Sequence, residues 1–200
     1  MTVPPLLNLA RVIDCTWAEG PGLRFCLWVQ GCVRSCPGCC NAAMQPLEAH
    51  EIVAPAEVCS RIADVHAVHG IEGVTFLGGE PFLQAGGLAE VANYAHSLGL
   101  SVMVFTGFSL AECRVLPEGE RLLSVTDVLV DGPYEADKPE TCRNWVGSTN
   151  QAFHYLTSRY DPSIEVDTKF RHVVELRVEG GRWLMNGCPI LVTKYANALA

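Results

Sequence analysis

Four short runs, at 25–29, 74–77, 102–105 and 128–130, are almost wholly apolar and rich in β-branched or aromatic side chains. Continuous runs of this kind suit strands buried on both faces, as in a parallel sheet. Between the first two, a helix is predicted to open at Pro55, with Val58, Ile62 and Val65 on one side. Proline at the first helical position is a common start signal. Between the second and third, Leu88, Val91, Ala92, Ala95 and Leu98 recur at helical spacing, and Gly99 makes a stop. Strand–helix–strand alternation implies βαβ crossovers and an α/β architecture. The last third changes period. Val174, Leu176 and Val178 alternate with polar residues, and Gly180-Gly181 leads into Arg182-Trp183-Leu184. A two-residue Gly-Gly loop between such runs is a hairpin signal. The expectation is one domain over residues 1–200, with a core of about 10–160 and an antiparallel hairpin appendage of about 165–195.

In α/β folds, ligands sit at the carboxyl ends of the strands. The unusual residues of this chain fall at those ends. Cys32, Cys36 and Cys39 follow the first run, Gly78-Gly79-Glu80-Pro81 the second, Thr106-Gly107 the third and Asp131-Gly132-Pro133 the fourth. Three thiolates at CxxxCxxC spacing hold three corners of a cubane [4Fe–4S] cluster and leave the fourth iron without a protein ligand. Thiolates are soft donors suited to such clusters, and electron-transfer clusters use four of them. A site with three is suited to chemistry at the open iron. Three duller readings stand beside it: a zinc site, a redox pair of Cys36 with Cys39, or core cysteines. Zinc wants a fourth ligand, and the chain has no second CxxC and no HxxxH; Cys40 directly follows Cys39.

With 200 residues, 49% of them hydrophobic and 18% charged, the chain buries a sizeable core. A net charge of −8 argues against nucleic acid as a partner, because phosphate binding needs a basic face. The N-terminus lacks the basic start and apolar stretch of a signal peptide, and no apolar segment reaches the length of a membrane span. A cytoplasmic location is expected. Disulfides are rare there, so ten cysteines point to metal binding or reactive thiols. Cys15, Cys26, Cys40, Cys59, Cys113, Cys142 and Cys188 are dispersed without ligand spacing, and buried free cysteine behaves as a small hydrophobe.

The stretch Glu19-Gly20-Pro21-Gly22-Leu23-Arg24, the sequence WVQGCVRSCPGC at 28–39, GGEP at 78–81, DVLVDGPYE at 127–135 and RNWVGSTNQ at 143–151 together resemble the radical S-adenosylmethionine (SAM) superfamily. Within it they are similar to the glycyl-radical-enzyme activating enzymes, among them the small activating proteins of anaerobic ribonucleotide reductase. The resemblance implies an incomplete (β/α)6-type partial TIM barrel of about six strands, open on one side. It implies that Cys32, Cys36 and Cys39 ligate the cluster and that the open iron chelates SAM. An electron from a donor such as flavodoxin or ferredoxin then cleaves SAM, and the 5′-deoxyadenosyl radical takes a hydrogen atom from a protein or peptide substrate, a glycyl radical enzyme. Gly78, Gly79 and Glu80 match the segment at the SAM amino group, where absent side chains allow close backbone approach. Thr106 and Asp131 match strand ends that, in pyruvate formate-lyase activating enzyme, bind a monovalent cation; Phe105 stands where that enzyme has an aspartate. Asn150, with Gln151, falls in a segment implied to touch SAM or the partner, and Arg24 either contacts SAM or lies on a strand. Two other readings remain open. A radical SAM enzyme modifying a ribosomal peptide or small molecule shares every motif, and the Cys39-Cys40 pair and the longer hairpin favour it. A non-catalytic iron–sulfur or zinc protein would not cleave SAM.

Overall fold

The computed structural model describes residues 5–171, 173–192 and 194. Its elements in chain order are β1 (Leu7–Thr16), β2 (Arg24–Val29), β3 (Glu51–Val53), α1 (Pro55–His69), β4 (Gly73–Gly78), α2 (Ala85–Ser97), β5 (Ser101–Phe105), α3 (Leu110–Val115), α4 (Gly119–Leu123), β6 (Val128–Asp131), β7 (Ala152–Tyr155), β8 (Val174–Glu179) and β9 (Arg182–Gly187). The main sheet has the order β3-β1-β2-β4-β5-β6-β7, and β8 pairs with β9 in a separate two-stranded sheet. β2, β4, β5 and β6 are parallel, while β1 and β3 on one side and β7 on the other run antiparallel.

The α/β architecture and the C-terminal hairpin stand as expected, and all four apolar runs are strands. The main sheet, however, has seven strands rather than six. The additional margins carry weak signals. β1 mixes Asn8, Arg11 and Asp14 among its apolar residues and pairs with β2 through two register shifts, which break any period of two. β3 is three residues long and largely exposed.

The helices α1 to α4 bury their apolar residues in one core on one face of the sheet. Val58, Ile62 and Val65 of α1, Leu88, Val91, Ala92 and Ala95 of α2, Cys113 of α3 and Leu122 of α4 pack there against Phe25, Leu27, Phe76, Val104 and Leu129. The alternate strand residues, among them Cys26, Trp28, Leu77 and Met103, face the other way. That face is covered by the segment carrying Trp145, Val146 and Ile164, and by the β8–β9 hairpin. Among the described residues no helix is long and apolar enough to cross a membrane.

Arg24 marks the far end of this sheet. It aligns with Gly73 at the amino ends of the strands, while the cysteines follow the carboxyl ends. Fully buried, it donates to Thr75 Oγ1 at 2.7 Å, to Pro21 O at 3.0 Å, to Ser101 Oγ at 2.9 Å and to Val74 O at 2.6 Å. Its role is therefore to clamp β2, β4 and β5 together, the strand reading of the two offered by the sequence.

Candidate iron–sulfur site

The cysteine loop leaves β2 and returns to its own base. Gly31 N donates to Met44 O at 2.8 Å, Cys32 N to Gln45 O at 2.9 Å, and the Gln30 side chain to Pro46 O at 2.8 Å. Within the loop, Cys36-Pro37-Gly38-Cys39 closes a turn with Cys39 N donating to Cys36 O at 3.3 Å, and Gly38 has φ +75°. Proline second and a left-handed glycine third is the chemistry of a type II turn. CPGC is thus a local instruction for bringing Cys36 and Cys39 near each other. Cys32 Sγ accepts from Arg34 N at 3.4 Å.

The loop is bolted to the turn after β4 through main-chain atoms. Gly79 N donates to Val29 O and Glu80 N to Gly31 O, both at 2.8 Å. A side chain at Gly79 would lie 2.3 Å from Gly31 O and 2.9 Å from Met44 O, so the contact needs glycine. Glu80 is completely buried. Its Oε1 accepts from Thr106 Oγ1 at 2.7 Å and from Phe82 N at 3.0 Å, and its Oε2 from Gly107 N at 2.8 Å. Burial pushes its pKa up, against those three donors. Glu80 therefore braces the end of β4 against the end of β5.

Cys32, Cys36 and Cys39 line one cavity of about 170 Å³ together with Gly78, Gly79, Glu80 and Thr106. Two of the residues singled out from sequence stand elsewhere. Asp131 accepts from Leu110 N at 2.6 Å and its carboxylate lies 3.0 Å from His154 Nε2, so it faces α3 and β7 and is not part of the lining. Asn150 donates to Pro133 O at 2.7 Å and holds the 131–133 turn; its neighbour Gln151 reaches the lining. Phe105 presents an aromatic ring at the cavity and no oxygen.

Sequence reasoning gave no role to several residues here. Arg34 pairs with Glu112 at 3.1 Å and lies over the Phe108 ring at 5.1 Å, tying the cysteine loop to α3. Glu19 is buried at the cavity, and burial pushes its pKa up to about 7. The only signal for Glu19 was its place before Gly20-Pro21-Gly22. Met185, Asn186, Gly187, Pro189 and Val192 bring the C-terminal segment to the same cavity. The alternation of Val174, Leu176 and Val178 and the Gly180-Gly181 loop predicted the hairpin, but nothing local predicted where it docks.

The donor set fits a cubane cluster. All ten cysteines are unpaired, so the three thiols are free to ligate. Among the described residues no three Cys, His, Asp or Glu side chains gather about a single ion position. A cubane makes no such demand, because each thiolate takes a different iron. Burial raises the Cys32 pKa, opposed by the Arg34 and Ser35 amides, while a hydrogen bond from Cys40 lowers that of Cys39. Amide and thiol donors to sulfur are the kind of contact that tunes an iron–sulfur centre.

Fold and site together define an α/β iron–sulfur protein, and comparison with known proteins agrees. Residues 18–154 match the family described as a 4Fe-4S single cluster domain. The anaerobic ribonucleoside-triphosphate reductase-activating protein of Salmonella typhi is 31% identical over 145 residues, covering 69% of this chain and 92% of the relative. The proteins of the same name from Escherichia coli strain K12 and Enterobacteria phage T4 are each 29% identical, covering 75% and 72% of this chain and 99% and 92% of theirs. The chain belongs to this family of activating proteins with a 4Fe-4S single cluster domain.

Proposed function

We propose that the protein is a radical SAM activating enzyme that installs a glycyl radical on a partner polypeptide, an anaerobic ribonucleotide reductase. The observation that carries this reading is the convergence of Cys32, Cys36 and Cys39 with the Gly78-Gly79-Glu80 turn on one cavity at the carboxyl ends of parallel strands. Three thiolates from one loop would hold the cluster, leaving one iron for SAM. The cluster and SAM together would supply one-electron cleavage of the sulfonium bond, giving methionine and a 5′-deoxyadenosyl radical, which becomes 5′-deoxyadenosine on taking the glycine hydrogen. The electron would come from a small reductant such as flavodoxin or ferredoxin.

The chain's own residues do the positioning. Gly78 and Gly79 keep side chains out of the path between the β4 end and the cysteine loop, and Glu80 with Thr106 fixes that rim. Leu77, Phe105 and Trp28 give the cavity an apolar wall, which excludes water and spare hydrogen donors. The helices α1 to α4 on one face, with the cavity on the other, support the incomplete-barrel reading of the sheet. Ten unpaired cysteines suit a cytoplasmic, reducing compartment.

Anaerobic reconstitution with iron and sulfide, reduction, and incubation with SAM tests the reading. 5′-Deoxyadenosine is the expected product; a fully loaded protein that forms none overturns it. A second reading, modification of a ribosomal peptide or small molecule, is favoured by the C-terminal wall of the cavity. It predicts product formation without response to an anaerobic reductase.

A further inference from the structure

The cavity has two sides of different origin. The cysteine loop and the strand ends lie within residues 18–154, the span of the family match. Met185, Asn186, Gly187, Pro189 and Val192 also line the cavity and come from the chain beyond that span.

This second side is docked by polar contacts to β1 and the residues after it. Arg11 Nη1 donates to Met185 O at 3.1 Å, Asn186 Nδ2 to Thr16 Oγ1 at 3.0 Å, and Gly187 N to Glu19 Oε1 at 2.7 Å. Gly187 has φ +113°, and a side chain there would meet Val173 O at 2.3 Å and Ala18 Cβ at 3.0 Å, so the close seat requires glycine. Glu19 is the informative residue. Its carboxylate is buried, and the hydrogen bonds that steady it come from Gly187 and from the Asn186 side chain, both in β9. A buried carboxylate costs free energy unless it is hydrogen-bonded, and here the bonding goes to the hairpin.

We propose that the C-terminal segment is the substrate-selecting wall of the site: Met185, Pro189 and Val192 face the polypeptide, and Glu19 is the positioning residue that holds them through Gly187. This rests on the polypeptide-substrate reading above. Met185, Pro189 and Val192 are apolar and share the cavity with Leu77 and Phe105. The wall therefore prefers an apolar residue beside the reacting glycine to a charged one, which these three side chains cannot pair.

The test uses two labelled peptides on the full-length, cluster-loaded protein with SAM: a glycine flanked by leucine and a glycine flanked by aspartate. Affinity is read by fluorescence anisotropy, which does not depend on turnover. The wild type should prefer the leucine peptide, and Met185→Ala or Val192→Ala should reduce the ratio of affinities by about tenfold. Glu19→Ala should do the same, whereas Glu19→Gln, which keeps an oxygen for Gly187 N, should restore the wild-type ratio. If Glu19→Ala does not fold, the two wall variants decide. A wild type that binds neither peptide or both alike, or a ratio unchanged in every folded variant, overturns the proposal. Formation of 5′-deoxyadenosine by the wild type without peptide, measured in parallel, reports on the radical reading separately.

Discussion

The two sides of the cavity are assembled by different mixtures of bond. On the strand-end side, Gly31, Cys32, Gly79 and Glu80 are held through main-chain hydrogen bonds to Met44, Gln45, Val29 and Gly31, with the Gln30 and Glu80 side chains adding to them. On the hairpin side, Arg11, Asn186, Glu19 and Glu175 each contribute a side chain to the bond that docks β8 or β9. A main-chain bond survives substitution of the residue that makes it, whereas a side-chain bond vanishes with its residue. The first arrangement suits a centre whose geometry must not vary. The second suits a surface that sequence change can retune.

The largest expected effect lies on the strand-end side. Cys36→Ala leaves two thiolates for the cluster, and reconstituted protein should lose both its iron–sulfur absorption and its SAM cleavage to background. Full activity in that variant would remove the three-thiolate assignment. Next comes Glu80→Ala. It orphans the Thr106 hydroxyl and the Phe82 and Gly107 amides in a buried rim. With each unpaired buried donor costing roughly 1–3 kcal/mol, the expected loss is about 4 kcal/mol by denaturant unfolding. A loss under 1 kcal/mol would mean that the brace between β4 and β5 is not needed.

The same contrast explains what the sequence disclosed. The strands β2, β4, β5 and β6 were legible because burial on both faces leaves continuous apolar runs. The cysteine spacing and Gly78-Gly79 were legible because their chemistry is local: ligand spacing and a missing side chain. Asp131 lay at the expected strand end, yet its carboxylate faces α3 and β7, and no local pattern reports those tertiary neighbours. Glu19 was passed over for the same reason. Its meaning depends on Gly187, which lies 168 positions away along the chain.

Glu19 also gives the hairpin side a pH dependence. Burial raises its pKa from the ordinary carboxylate value of 4.5 to about 7. The folded form therefore binds a proton that the unfolded chain has released, so stability is fully present below about pH 4.5 and is lost as pH rises through about 7. The shift corresponds to roughly 3 kcal/mol, and Glu80, raised in the same direction by burial, adds to it. Stability measured at pH 5 and pH 8 should fall across that interval in the wild type. The fall should be markedly smaller in Glu19→Gln, and an equal fall in both would contradict the assignment.

The smallest effect belongs to Glu175, and it separates hydrogen bonding from charge in the docking of the hairpin. Glu175 Oε1 accepts from Trp17 N at 2.8 Å, while Oε2 lies 2.5 Å from Arg177 Nη2, in a pair that remains partly exposed. Glu175→Gln keeps the acceptor for Trp17 and discards the charge. Partly exposed ion pairs contribute about 0–1 kcal/mol, so the variant should unfold within about 1 kcal/mol of the wild type. Glu175 is also one of the groups that raise the Glu19 pKa. Its neutralisation should therefore move the pH midpoint of the stability change slightly downward, away from 7. A loss several times larger would show that charge, rather than the hydrogen bonds from Gly187 to Glu19 and from Asn186 to Thr16, seats the hairpin. The two sides of the cavity would then differ in electrostatics as well as in bond type.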